Sequence, residues 1–190
     1  MAFLIGGLGI NFLIDYGIWF HIGVREISLP IHFFGGTFLF FFWFSLSYGV
    51  EYAYTFLMFE ERNKIKWTLF ILMGWLVVAL LSQLIPLNNS HIVTIRHMSD
   101  LRFIRIGIVI IGYVLLIFLK YDWRKILFLF FIGFLIHFMM EFSLLINGIR
   151  PGSLLILLEN SLIEFNMGMP FFYLIWDRIL KNNKIIKNES

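Results

Sequence analysis

Cysteine is absent from this 190-residue chain, so disulfides, thiolate metal sites and cysteine nucleophiles are excluded together. Charge is scarce as well. Only 14% of the residues are charged, against roughly 25% in soluble domains, while 60% are hydrophobic and mean hydropathy is +0.86. Glycine-rich phosphate loops are also missing. Gly6-Gly7-x-Gly9 lies inside an apolar run without a preceding strand, which removes nucleotide-driven work. Ser45, Ser47 and Ser143 have no nucleophile-elbow context, so a serine hydrolase is unsupported. The net charge of +3 calls for no nucleic-acid partner, and no cofactor is implied.

What the chain has in excess is large apolar surface. Twenty-four Phe and six Trp would promote aggregation in water but are at home against acyl chains. Crossing about 30 Å of hydrocarbon at 1.5 Å per residue takes about 20 residues. Runs of that order occur at 3–23, 31–59, 67–87, 101–121, 126–146 and 154–180. The expected fold is therefore all-α: a polytopic integral membrane protein, a bundle of about six transmembrane helices. Residues 1–180 form one membrane domain and 181–190 a short basic cytoplasmic tail. The first run holds Asn11 and Asp15 and lacks a basic leader, so it reads as a span and not as a cleaved signal. No internal repeat or low-complexity segment divides the chain.

Lys and Arg in short loops favour the cytoplasmic side. Arg62, Lys64 and Lys66, then Lys120, Arg124 and Lys125, then Arg178, Lys181, Lys184 and Lys187 fall on one side of a six-span arrangement. Arg25, Arg96, Arg102, Arg105 and Arg150 fall on the other. Both termini are thus expected in the cytoplasm, with the protein in the plasma membrane of a prokaryote. The longest loop, 88–100, carries His91, His97 and Asp100, whose spacing fits no common metal-ligand pattern and reads as a solvated loop.

Four carboxylates interrupt the apolar runs: Asp15, Glu51, Glu141 and Glu164. A carboxylate in low dielectric must be protonated, paired or hydrated, so such residues face a protein interior or a wet cavity. Counted from the middle of each span, Asp15 lies about 4 Å, Glu141 and Asn160 about 7 Å and Arg105 about 9 Å toward the outer side, with His137 and Glu164 near the middle. Those heights predict a shared pocket among at least the first, fifth and sixth spans. Glu51 is expected to stand apart in the inner half. His137 and Glu141, four residues apart on one helix face, form a candidate acid–base pair. Asn160, Glu164 and Gly168 make another four-residue row, and Gly168 with Pro170 interrupts the helix beside Asn166.

His137-x-x-x-Glu141 followed one helix later by Glu164 is similar to the emopamil-binding and sterol-isomerase group. That resemblance covers the last two spans and implies proton transfer on a lipid carbocation. Glu141 with Arg150 and Asn160 resembles the signature region of VanZ-type proteins, although the paired aspartates and the glutamine of that pattern are lacking. Glu60-Glu61-Arg62 resembles the paired glutamates of intramembrane CAAX-type proteases, but the later histidine motifs are missing, and it reads as a charged helix end.

The expected function is an intramembrane polar pocket that binds, and in one version transports, a small molecule or lipid. Glu141, Glu164, His137, Asn160, Asn166, Asp15, Glu51 and Arg105 are the ligand-binding candidates, and no metal is expected. An enzyme of isomerase or hydrolase type would use His137, Glu141 and Glu164 as catalytic groups. A structural subunit would instead pair its buried acids with a partner's bases, and homo- or hetero-oligomers are compatible with each reading.

Overall fold

The computed structural model describes residues 1–29, 35–60, 63–84, 92–97 and 101–188, without the side chains of 60 and 180–188. Helix α1 (Ala2–Phe12) runs on as a π-helical segment (Leu13–Phe20) and turns at Gly23, whose φ of 74° suits a residue without Cβ. Strand β1 (Arg25–Ser28) follows, then α2 (Gly36–Glu60), α3 (Lys64–Leu84), β2 (Val93–Arg96), α4 (Arg102–Phe118), α5 (Trp123–Ile146) and α6 (Leu154–Asn188). The six expected helices thus exist, with most ends shifted by up to five residues, while α6 runs on to Asn188 through most of the segment expected as a tail. Among the described residues, three are long and apolar enough to cross a membrane: Ala2–Phe20, Lys64–Leu84 and Trp123–Ile146. Helix α4 has 17 residues, while α2 and α6 carry polar rows that lower their hydropathy.

The strands were not expected. The segment at 93–96 lies in the run whose sequence reads as a solvated loop, yet β1 and β2 pair antiparallel with Arg25 opposite Arg96 and Ser28 opposite Val93. A four-residue strand is too short to announce itself by alternation, and a two-stranded ribbon is marginal alone. This one is held by Thr94, whose N–H donates to the Ile149 carbonyl at 2.8 Å in the α5–α6 connection. His97 pairs with Glu26 at 3.1 Å on the exposed side, whereas His91 and Asp100 lie outside the described residues.

An aromatic seam joins α2 to α6. Phe44, Tyr48, Tyr52 and Phe56 recur every four residues, so they fall along one face of α2 and pack on Phe165, Met169, Phe172 and Tyr173. The Tyr52 and Phe165 rings stack at 4.3 Å. Close approach depends on small residues: Gly7 of α1 meets Gly49 of α2, and a Cβ on Gly168 would run into the Tyr52 hydroxyl. Pro170 sits inside α6 with its ring against Gly112 of α4.

Candidate functional site

Every titratable group singled out inside the helices is buried, and those groups converge at the ribbon end of the bundle with arginines from the connections. Asp15 projects from the π-helical segment and accepts from Arg25 Nη2 at 2.8 Å and Nε at 3.1 Å. The two hydrogen bonds fix the guanidinium, whose Nη1 donates to Thr94 at 2.9 Å. Because β1 and β2 put Arg25 directly opposite Arg96, two like charges share one ribbon face, an unfavourable placement unless each meets an anion. Asp15 supplies the first and Glu164 the second: Arg96 Nη1 pairs with Glu164 Oε1, and Arg96 Nη2 donates to the Tyr48 hydroxyl at 3.0 Å.

Glu164 is the hub. Its Oε1 also meets Arg105 Nη1 at 3.2 Å, and its Oε2 accepts from Tyr48 Oη at 3.3 Å. Arg150, from the α5–α6 connection, pairs with Glu141 and reaches within 4.0 Å of Glu164. Arg25 and Arg150 both stack on Phe44, at 5.1 and 5.4 Å from its ring centre, so the aromatic seam supplies one wall of the charged chamber. Burial, with the guanidiniums of Arg150 and Arg25 adding to it, pushes Arg96 down to about 9, still charged at neutral pH. Burial opposes the charge on Arg150 too, but the Glu141 carboxylate outweighs it and holds that guanidinium above its ordinary value.

His137 is fully buried at the inner edge of this network. Its Nδ1 lies 3.2 Å from Glu51 Oε2, while its Nε2 lies 3.5 Å from Glu164 and 3.6 Å from Glu141. The expected pairing within α5 is therefore the looser contact, and Glu51, expected to stand apart, is the closest partner. Helix α2 starts at Gly36 and not at 31, which moves its midpoint three residues along and brings Glu51 about 4.5 Å nearer the middle. His137 Nε2 has no hydrogen-bond partner, and neither does Glu51 Oε1.

The remaining candidates divide. Arg105 belongs to the network. Asn160 lines a small cavity with Glu141 and Arg150, of about 10 Å³, roughly the room one water needs. Asn166 lies away from the charges: it accepts from Tyr113 at 2.6 Å and donates to the Leu162 carbonyl at 3.0 Å, which is helix packing. Missed from the sequence were Arg25, Arg96, Arg150 and Tyr48. A signal for three of them existed: the side carrying these arginines has no lysine, and a fork-shaped, weakly hydrated cation suits buried carboxylates better than an ammonium.

His137, Glu141 and Glu164 offer ligand atoms within 4.8 Å of one another, close enough to share a cation. Three guanidiniums already contact those two carboxylates, so a metal would have to displace them against like charge. Beside the network runs an apolar groove of about 520 Å³ between α1 with its π-helical extension, α4 and α6. Arg105 and Glu164 belong both to its lining and to the charge network; Ile14, Ile108 and Phe171 line its apolar part. No known protein family, curated protein or solved structure matches the chain.

Proposed function

We propose that this is a six-span membrane protein whose buried charge network is the polar end of a site for a lipid or small amphiphile. The observation that carries the reading is the shared lining: Arg105 and Glu164 belong at once to an ion-pair network and to a groove whose other side chains are apolar except for Asn11 and Tyr52. A ligand with a polar head and a hydrocarbon tail matches both parts. The six-span arrangement is supported by helices at all six expected places, and the lysine-rich connections favour cytoplasmic termini in a prokaryotic plasma membrane. Transport would add exchange between the two sides of the bilayer to the same binding step. The subunit reading has less to recommend it, because the acids meet arginines of their own chain.

Extraction in native lipid followed by mass spectrometry of the bound material tests the proposal. A copurifying amphiphile at about one per chain is expected, with loss from folded Glu164→Gln protein. Folded protein free of any amphiphile, with the variant indistinguishable from it, would remove the reading.

One feature favours a second reading, intramembrane acid–base catalysis. Glu51 beside Nδ1 orients the His137 ring, while Nε2 is left without a hydrogen bond, the arrangement of a general acid or base and its positioning carboxylate. A copurified ligand recovered chemically altered by the native protein, but intact from His137→Gln protein, would select this reading.

A further inference from the structure

The charged end of the groove carries a surplus of donors. Arg105 has only 7% of its side chain exposed and gives Nη1 to Glu164, yet its Nε has no hydrogen-bond partner. Arg96, whose guanidinium lies 5.7 Å from the ring centre of the groove-lining Trp19, also keeps Nε unpaired. A buried N–H without an acceptor is costly, and two at one place call for a ligand that accepts. Acceptors there are already committed. Glu164 Oε1 is shared by Arg96 and Arg105, and Oε2 takes the Tyr48 hydroxyl, so a cationic head would find no free carboxylate oxygen.

The start of α4 adds to the same potential. Arg102 and Arg105 both lie in its first turn, no acidic residue joins them, and Leu101 provides no side-chain cap for the amides. Basic groups at the positive end of a helix dipole are misplaced unless an anion answers them. Among the described residues, Glu159 answers Arg102 and Glu164 is divided between two guanidiniums, which leaves the two Nε donors. Donors arriving from several directions suit a tetrahedral set of oxygens better than a planar carboxylate.

We infer that the groove holds the hydrocarbon chain of a lipid whose head is a phosphate monoester, seated on Arg105 Nε at the start of α4. This rests on the amphiphile reading above and specifies its head. The source is a lipid and not free phosphate, because the lining beyond Arg105 and Glu164 is mostly apolar, with Asn11 and Tyr52 the exceptions, and includes Ile104 and Ile108 of α4.

Hexadecyl phosphate, hexadecanol, hexadecyltrimethylammonium and inorganic phosphate are titrated separately against the whole protein in maltoside micelles and read by native mass spectrometry. Hexadecyl phosphate should bind about ten-fold or more tighter than the alcohol, the scale of a charge-assisted hydrogen bond, and Arg105→Gln should erase that preference. Ile108→Trp narrows the groove without touching the charges and should weaken hexadecyl phosphate about ten-fold at an unchanged melting temperature, so the test survives if Arg105→Gln fails to fold. Equal or tighter binding of the alcohol or the ammonium overturns the phosphate assignment while leaving the groove as an amphiphile site. Inorganic phosphate binding as tightly as the lipid, or an Ile108→Trp variant with undiminished binding, overturns the lipid. Failure of every amphiphile overturns the broader reading as well.

Discussion

The two ends of this bundle hold their cations by opposite means. At the ribbon end the side chains of Arg25, Arg96, Arg105 and Arg150 are buried against carboxylates: Arg25 on Asp15, Arg96 and Arg105 on Glu164, and Arg150 on Glu141. At the other end Lys64 lies over the rings of Phe59 and Phe128, at 5.5 and 4.8 Å, with no acidic partner among the described residues. Arginine loses less hydration on burial and grips a carboxylate with two parallel donors, whereas lysine lays its stem on apolar surface and keeps its ammonium in water. Charge at one end is therefore held by ion pairs inside the bundle, and at the other by contact with aromatic rings. A count of cations, ten on one side and five on the other, conceals that difference, and the choice between Arg and Lys reveals it.

If the contrast holds, substitutions should grade steeply from one end to the other. The largest effect is expected for Glu164→Leu, which strands Arg96 and Arg105 without their shared carboxylate. Loss of one partner of a buried ion pair costs about 3 to 5 kcal/mol, so folded yield in detergent should collapse. Wild-type yield would mean that water reaches those arginines freely. Gly168→Ala comes next, because the added methyl meets the Tyr52 hydroxyl in the seam beneath the charges; overpacking of this kind costs about 1 to 3 kcal/mol. Combining it with Tyr52→Phe should recover part of the lost melting temperature, and no recovery would place the strain elsewhere. Lys64→Gln should change stability least, by about 0.5 to 1 kcal/mol, the worth of an exposed cation–π contact. A loss there as large as at Glu164 would end the distinction between the two ends.

How much of this was readable in the letters differs by element. The long apolar runs located all six helices, because a run of about 20 apolar residues is a continuous pattern, and three of the helices among the described residues are long and apolar enough to cross a membrane. Asp15, Glu141, Glu164 and His137 stood out for a related reason: an ionisable group in such a run has no cheap explanation. The ribbon was illegible, since Arg25–Ser28 and Val93–Arg96 are four residues each and their paired residues, Arg25 with Arg96 and Ser28 with Val93, are separated by two helices of sequence. With the ribbon went the reason that Arg25 and Arg96 enter the bundle. Height in the bilayer could be counted, but which helices touch could not, which is why Glu51 was separated from His137 when it is the nearest partner.

The central claim is that buried acids and bases of this one chain neutralise each other inside the bundle. It is tested most directly by a double-mutant cycle on Glu141 and Arg150, with Glu141→Met, Arg150→Met and the pair compared by thermal unfolding in lipid nanodiscs. The account predicts that each single change loses about 3 kcal/mol or more and that the double variant regains most of it, because an apolar pair leaves no stranded charge. Losses that simply add in the double variant would contradict it.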